Sequence, residues 1–156
     1  MMENYLKILE ESLVKKKAVL QQIEEVNQNQ AKLLQAEMLD VEAFDKCVDQ
    51  KDAMIGELNK LDDGFESLYD RIREQLMQNR PKYSAQIAAL QKLIGEITDA
   101  SVSIQAQESR NKLAVERYFA RQRNDLGKGR KASKAAYGYY KNNAGVADSY
   151  FMDTKK

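Results

Sequence analysis

Three long apolar ladders with steps of three and four residues occupy residues 2 to about 125 of this 156-residue chain. Alternating steps of that size keep one stripe of side chains on one face of a helix, the seam of a coiled coil. The first runs Leu6, Leu9, Leu13, Lys16, Leu20, Ile23, Asn27, Gln30, Leu34. The second runs Val41, Phe44, Val48, Lys51, Ile55, Leu58, Leu61, Phe65, Leu68, Ile72, Leu76. The third runs Tyr83, Ile87, Leu90, Ile94, Ile97, Ser101, Ile104, Glu108, Asn111, Val115, Tyr118, Gln122. Chains patterned in this way form rods packed side by side. Rods offer grooves rather than catalytic pockets.

The breaks between ladders read as turns. Asp40 is a good N-cap with Glu42 in the first turn behind it, so a tight turn is expected near 38–40. Asn79-Arg80-Pro81 ends the second ladder: Arg80 precedes proline and is pushed from helical angles, and Pro81 suits the first turn of a third helix. The expectation is an all-α, antiparallel three-helix coiled-coil bundle over 1–126, with helices over about 2–38, 40–79 and 82–125. At 1.5 Å per residue each would be about 55–65 Å long. Around Leu58, Leu61 and Phe65 two three-residue steps occur in succession. Such a stammer is expected to overwind the supercoil; Gly64 beside it permits a bend, but a continuous helix is the expectation favoured there.

Polar residues interrupt the seams. Lys16, Asn27 and Gln30 weaken packing and are candidates for fixing register instead. In the third helix Thr98, Ser101, Ser103, Gln105, Gln107, Glu108 and Ser109 make a polar middle, after which Leu113, Val115, Tyr118 and Phe119 return. Two arrangements are open for this end. Either Val115, Tyr118 and Phe119 present an apolar patch to a partner, or they pack on the N-terminal end of helix 1, over Tyr5, Leu6 and Leu9.

Beyond the ladders, residues 127–156 carry seven Lys and Arg against two Asp, while residues 1–126 carry 18 against 22. This Gly-punctuated, Tyr-rich tail has too few aliphatic residues for a core of its own and is expected to be a flexible or partly helical segment that orders on a partner. A basic end on a mildly acidic body suits nucleic acid, anionic lipid or an acidic protein. Arg117, Arg121 and Arg123 beside Tyr118 and Phe119 keep a nucleic-acid-associated coiled coil open as an alternative, although helix ends commonly carry such charges. A self-associating structural coiled coil is the other alternative, and a homodimer is compatible with the ladders.

Catalysis is poorly served. The chain has no His, the commonest general base. Cys47 adjoins Val48 on a helix, where an inert, half-buried thiol is expected. Asp45, Asp49, Asp52, Asp62, Asp63 and Asp70 recur along helix 2 as a solvated face. No catalytic residue, metal site or cofactor is assigned. A lone Cys allows no intrachain disulfide and fits the cytoplasm. The start MMENYLKILEE lacks a signal-peptide pattern, and no apolar run approaches the ~20 residues that span a bilayer.

Several stretches carry a family likeness. Leu-rich heptads, a tight turn, Asp40-Val-Glu-Ala-Phe, Lys51 and Ile55-Gly-Glu-Leu58 resemble the FlgN family of flagellar export chaperones. Glu108-Ser-Arg-Asn111-Lys-Leu113 is similar to that family's recurring Glu/Asn/Arg/Leu stretch, and Tyr137-Gly-Tyr-Tyr140-Lys and Tyr150-Phe-Met-Asp-Thr-Lys-Lys are similar to tails of flagellar chaperone-like proteins. FliT-type chaperones share the helical style but are usually shorter. The resemblance implies a cytoplasmic binder that holds the C-terminal amphipathic helix of hook–filament junction proteins and delivers them to the type III export gate. On that reading Leu113, Val115, Tyr118 and Phe119 anchor the guest, and Tyr137, Tyr139, Tyr140 and Phe151 close over it. Either Tyr137 or Tyr140 matches the family's gate-docking Tyr; Tyr139 and the basic 128–134 stretch are additions to the family pattern.

Overall fold

A computed structural model of the chain describes residues 1–123, which form three long helices: α1 (Met2–Leu34), α2 (Val41–Gln78) and α3 (Ser84–Arg123). Residues 35–40 make the first turn. Its far end is fixed as the sequence leads one to expect, with Asp40 Oδ1 accepting from the Ala43 amide at 3.1 Å. α1 ends four residues before the expected boundary, at Leu34, because Leu39 folds back into the core at 6% exposure. At the second turn the side chain of Asn79 donates to the Gln75 carbonyl, and the amides of Lys82 and Tyr83 return to the carbonyls of Asn79 and Arg80. Pro81 therefore sits inside a separate turn, and α3 starts two residues later than expected.

Every ladder position is buried or half-buried. α1 is the middle element, lying against α2 on one side and α3 on the other. Its stripe is accordingly wider than a two-helix seam, and Val19 and Val26 join the ladder residues in the interior. Fully buried side chains such as Leu9, Leu20, Ile23 and Ile104 each stabilise the fold by roughly 1.5–3 kcal/mol relative to exposure.

Cross-helix pairs fix the alignment. Lys16 Nζ meets Asp62 Oδ1 at 2.7 Å, and Lys51 Nζ donates to Asn27 Oδ1 at 3.0 Å. The partners of each pair are equidistant in sequence from Leu39, as an antiparallel hairpin turning there requires. α3 returns parallel to α1, tied by Lys17–Glu96 at 3.3 Å and by Asn111 Nδ2 donating to the Asn27 carbonyl at 3.0 Å.

α2 runs unbroken through Gly64. The apparent stammer has a different meaning from a supercoil defect. Phe44, Lys51, Leu58, Phe65 and Ile72 form the centre line of the helix at heptad spacing. Before Leu58 the ladder pairs this line with Val48 and Ile55; after it the pairing passes to Leu61 and Leu68 on the opposite flank. The apolar stripe changes sides.

Candidate helix-binding groove

Polar seam residues from all three helices meet in one layer, from which Lys16, paired with Asp62, stands apart. Lys51 is wholly buried, and its ammonium reaches Asn27 Oδ1 and, at 2.9 Å, Glu108 Oε1. Asn27 Nδ2 donates to Gln107 Oε1 at 3.2 Å. Gln30, in the same layer, is wholly buried with no hydrogen-bond partner for either amide atom among the described residues. Burial lowers the Lys51 ammonium below its ordinary pKa, and the Glu108 carboxylate opposes that shift only in part. In the polar middle of α3, Gln107 and Glu108 are thus matched across the bundle, while the Thr98 and Ser101 hydroxyls donate back to the Ile94 and Ile97 carbonyls of the same helix. This stretch does not mark an unsealed half.

This placement decides the α3 end. Val115 and Tyr118 are 3% exposed and pack with Leu34, Leu39, Phe44 and Val48 in a second, smaller apolar cluster. Because α3 runs parallel to α1, they cover the C-terminal end of α1 and not Tyr5, Leu6 and Leu9, which belong to the larger cluster at the other end. Neither arrangement left open by the sequence describes them. Phe119 is half-buried against the same cluster, edge-on to Tyr118, and Leu113 is 47% exposed on another face. Val115 and Tyr118 are therefore core residues in the closed bundle, apart from Leu113. Arg117, Arg121 and Arg123 are exposed, with the Arg121 guanidinium 5.9 Å from the Tyr118 ring centre. Tyr118 is covered and offers no free face for stacking a base. Tyr137, Tyr139, Tyr140 and Phe151 lie outside the described residues.

A groove appears elsewhere. No Cα of α2 comes within 8 Å of a Cα of α3, whereas α1 approaches both helices that closely. The Lys16–Asp62 pair shows which flank of α2 faces α1, so Met54, Leu61 and Leu68, on the other flank at heptad spacing, face α3. The Lys17–Glu96 and Asn27–Gln107 pairs orient α3 in the same way, leaving Ile87 and Ile94 toward α2. All five are half-buried and pack against the larger core cluster, as does Phe65, which stacks on Tyr69 with ring centres 6.1 Å apart. The flank is bounded at one end by the Lys51–Glu108 strut and at the other by the turn at 79–83. Within it, Met54 to Leu68 spans about four helical turns, roughly 21 Å at 1.5 Å per residue.

Heptad-flank residues 54, 61, 68, 87 and 94 are apolar in the sequence and were open to reading as ordinary seam. Only the separation of α2 from α3 makes them a groove. The remaining titratable groups among the described residues lie as follows. Cys47 is buried and its thiol is pushed up by burial, with Lys51 and Lys46 pulling it partly back. Of the helix-2 carboxylates, Asp62 is engaged by Lys16 and Asp45 is half-buried, so the face is less uniformly solvated than expected; Asp49, Asp52, Asp63 and Asp70 are exposed. Among the described residues no three Cys, Asp or Glu side chains are placed to share a cation, and no helix is long and apolar enough to cross a membrane.

These features define an all-α three-helix bundle with a partly exposed apolar flank between α2 and α3. Comparison with protein-family models, with curated proteins and with solved structures found no match to this chain.

Proposed function

We propose that this protein is a helix-binding chaperone of the flagellar export type, which receives the C-terminal amphipathic helix of a hook–filament junction protein and passes it to the type III export gate. The observation that carries the binding half is the α2/α3 flank: partly exposed apolar side chains on two helices that bring no Cα pair within 8 Å of each other. Helix-in-groove recognition needs such a trough and no cofactor. A guest seated there would complete a four-helix packing, burying Met54, Leu61, Leu68, Ile87 and Ile94 together with its own apolar face. Masking that face would keep the guest from assembling before export. The flagellar identity of the guest is supported by the resemblance of the 40–58 and 108–113 stretches to the FlgN family.

The test is co-purification of the full chain with C-terminal fragments of junction proteins. Capture by the wild type that is lost in Leu61→Asp, with melting behaviour preserved, supports the groove. Capture unaffected by Leu61→Asp and Ile94→Asp places the site elsewhere, and no capture of any flagellar fragment removes the proposed function.

A further inference from the structure

The polar layer divides the apolar core in two. The larger cluster reaches it with Ile23, Leu58 and Ile104; the smaller one, beyond it, holds Leu34, Leu39, Phe44, Val48, Val115 and Tyr118. Asn27, Gln30, Lys51 and Asn111 lie between them, all buried. Bundles unfold locally where apolar contact is interrupted, because the units on either side then share little surface. Hydrating this layer costs less than hydrating a layer of leucines, since its hydrogen bonds are remade to water. One of its members gains outright: the Gln30 amide, which has no partner among the described residues. From α3 the smaller cluster takes only Val115 and Tyr118, with Ala114 and Phe119 at its edge.

We infer that residues 108–123 of α3 lift from the α1–α2 hairpin as one unit while the rest of the bundle stays folded, and that the slot they leave accepts an amphipathic helix from another protein. The present occupant defines the chemistry of that guest. It places a carboxamide at Asn111 against the Asn27 carbonyl, a β-branched residue one turn on at Val115, and an aromatic ring at Tyr118. A guest with the pattern amide, aliphatic, aromatic at spacings of four and three fits the same slot. Lifting also removes the Lys51–Glu108 strut. The α3-facing flank of α2, which runs Cys47, Met54, Leu61, Leu68, then becomes one trough continuous with the groove. The guest half of this inference rests on the helix-binding reading; the opening stands without it.

Hydrogen exchange of the full chain tests the opening. The amides of Asn111–Phe119 are expected to share one plateau of protection, about tenfold or more below that of Leu90–Ile104, with the step at the polar layer. Gln30→Leu, which carries apolar contact across the layer, is expected to erase the step. Protection that is level across the layer, or that declines gradually from residue 123 inward as simple fraying does, overturns the inference. A labelled synthetic peptide with the sequence of residues 105–123 tests the slot: saturable binding to the full chain, weakened in Gln30→Leu, is expected. A plateau without peptide binding ends the guest half and leaves the α2/α3 groove to be judged by Leu61→Asp.

Discussion

Lys51 and Glu108 join α2 to α3 at 2.9 Å across a flank where the two backbones otherwise stay apart, with the ammonium wholly buried and the carboxylate 13% exposed. A charge in that position is stable only while its partner is present. Lys51→Met and Glu108→Leu are each expected to cost about 3–5 kcal/mol in urea unfolding, because each strands an ionised or amide partner in the layer. The double variant is expected to recover most of that loss, since well-packed apolar groups replace a buried ion pair at little cost. Additive losses in the cycle would show that the pair is not coupled.

The same lysine sets a pH dependence. Its pKa is lowered from the ordinary 10.5 by burial. The unfolded chain therefore holds the Lys51 proton more tightly than the folded one. Between the lowered value and 10.5 the unfolded state binds more protons, and the Lys51 contribution to stability rises with pH. Urea midpoints of the wild type, followed into the alkaline range against the Lys51→Met/Glu108→Leu double variant, are expected to show this rise in the wild type alone.

Gln30 is expected to be replaceable with profit. Its amide is buried without partners, next to the cluster of Leu34 and Phe44. Gln30→Leu is expected to stabilise the bundle by about 1–3 kcal/mol, the desolvation cost of an unsatisfied polar group. A loss of stability would mean that the amide is satisfied in solution.

Asp45 and Asp52 are raised above the ordinary carboxyl value, first by burial and then by the carboxylate of Asp49 one turn away from each. Their folded pKa values exceed the unfolded ones, so the favourable contribution is complete below about 3.8 and is lost as pH rises through the folded values. At neutral pH the three acids repel. Asp49→Asn is expected to stabilise by about 0.2–0.5 kcal/mol for each like-charge pair relieved. Thermal melts at neutral pH and near about pH 3.5 are expected to show the gain at the former and little at the latter.

The groove and the α3 end can be separated by paired substitutions. Leu61→Asp acts on the α2/α3 flank, and Leu113→Asp acts on an exposed side chain of α3. Only the first is expected to weaken capture of a junction-protein helix, by at least about tenfold. Tyr118→Ala is expected to behave as a core truncation, costing about 3–5 kcal/mol of stability as large aromatic deletions do.

The bundle was legible because heptad spacing states which face is buried, and the ladder from Leu6 to Leu34 reports that face without a break. Asp40 as a cap was equally plain. What could not be read was partnership between ladders. Asn27 looked like a flaw in its own helix, Lys51 and Asn111 were ladder positions without a legible role, and only the alignment of helices joins the three in one layer. The parallel course of α1 and α3 follows from the turns, yet it was the step that moved Tyr118 from the N-terminal end of α1 to Leu34. The groove was hidden for a related reason: spacing fixes faces, not distances between helices.

The symmetry of Lys16–Asp62 and Lys51–Asn27 about Leu39 bears on how such a chain tolerates change in length. Matched heptads can be added to or removed from both arms of the hairpin without moving any clasp from its mate, provided α3 changes with them. A heptad lost from one arm alone keeps every apolar residue on the correct face, and still leaves each lysine two rungs away from its acceptor.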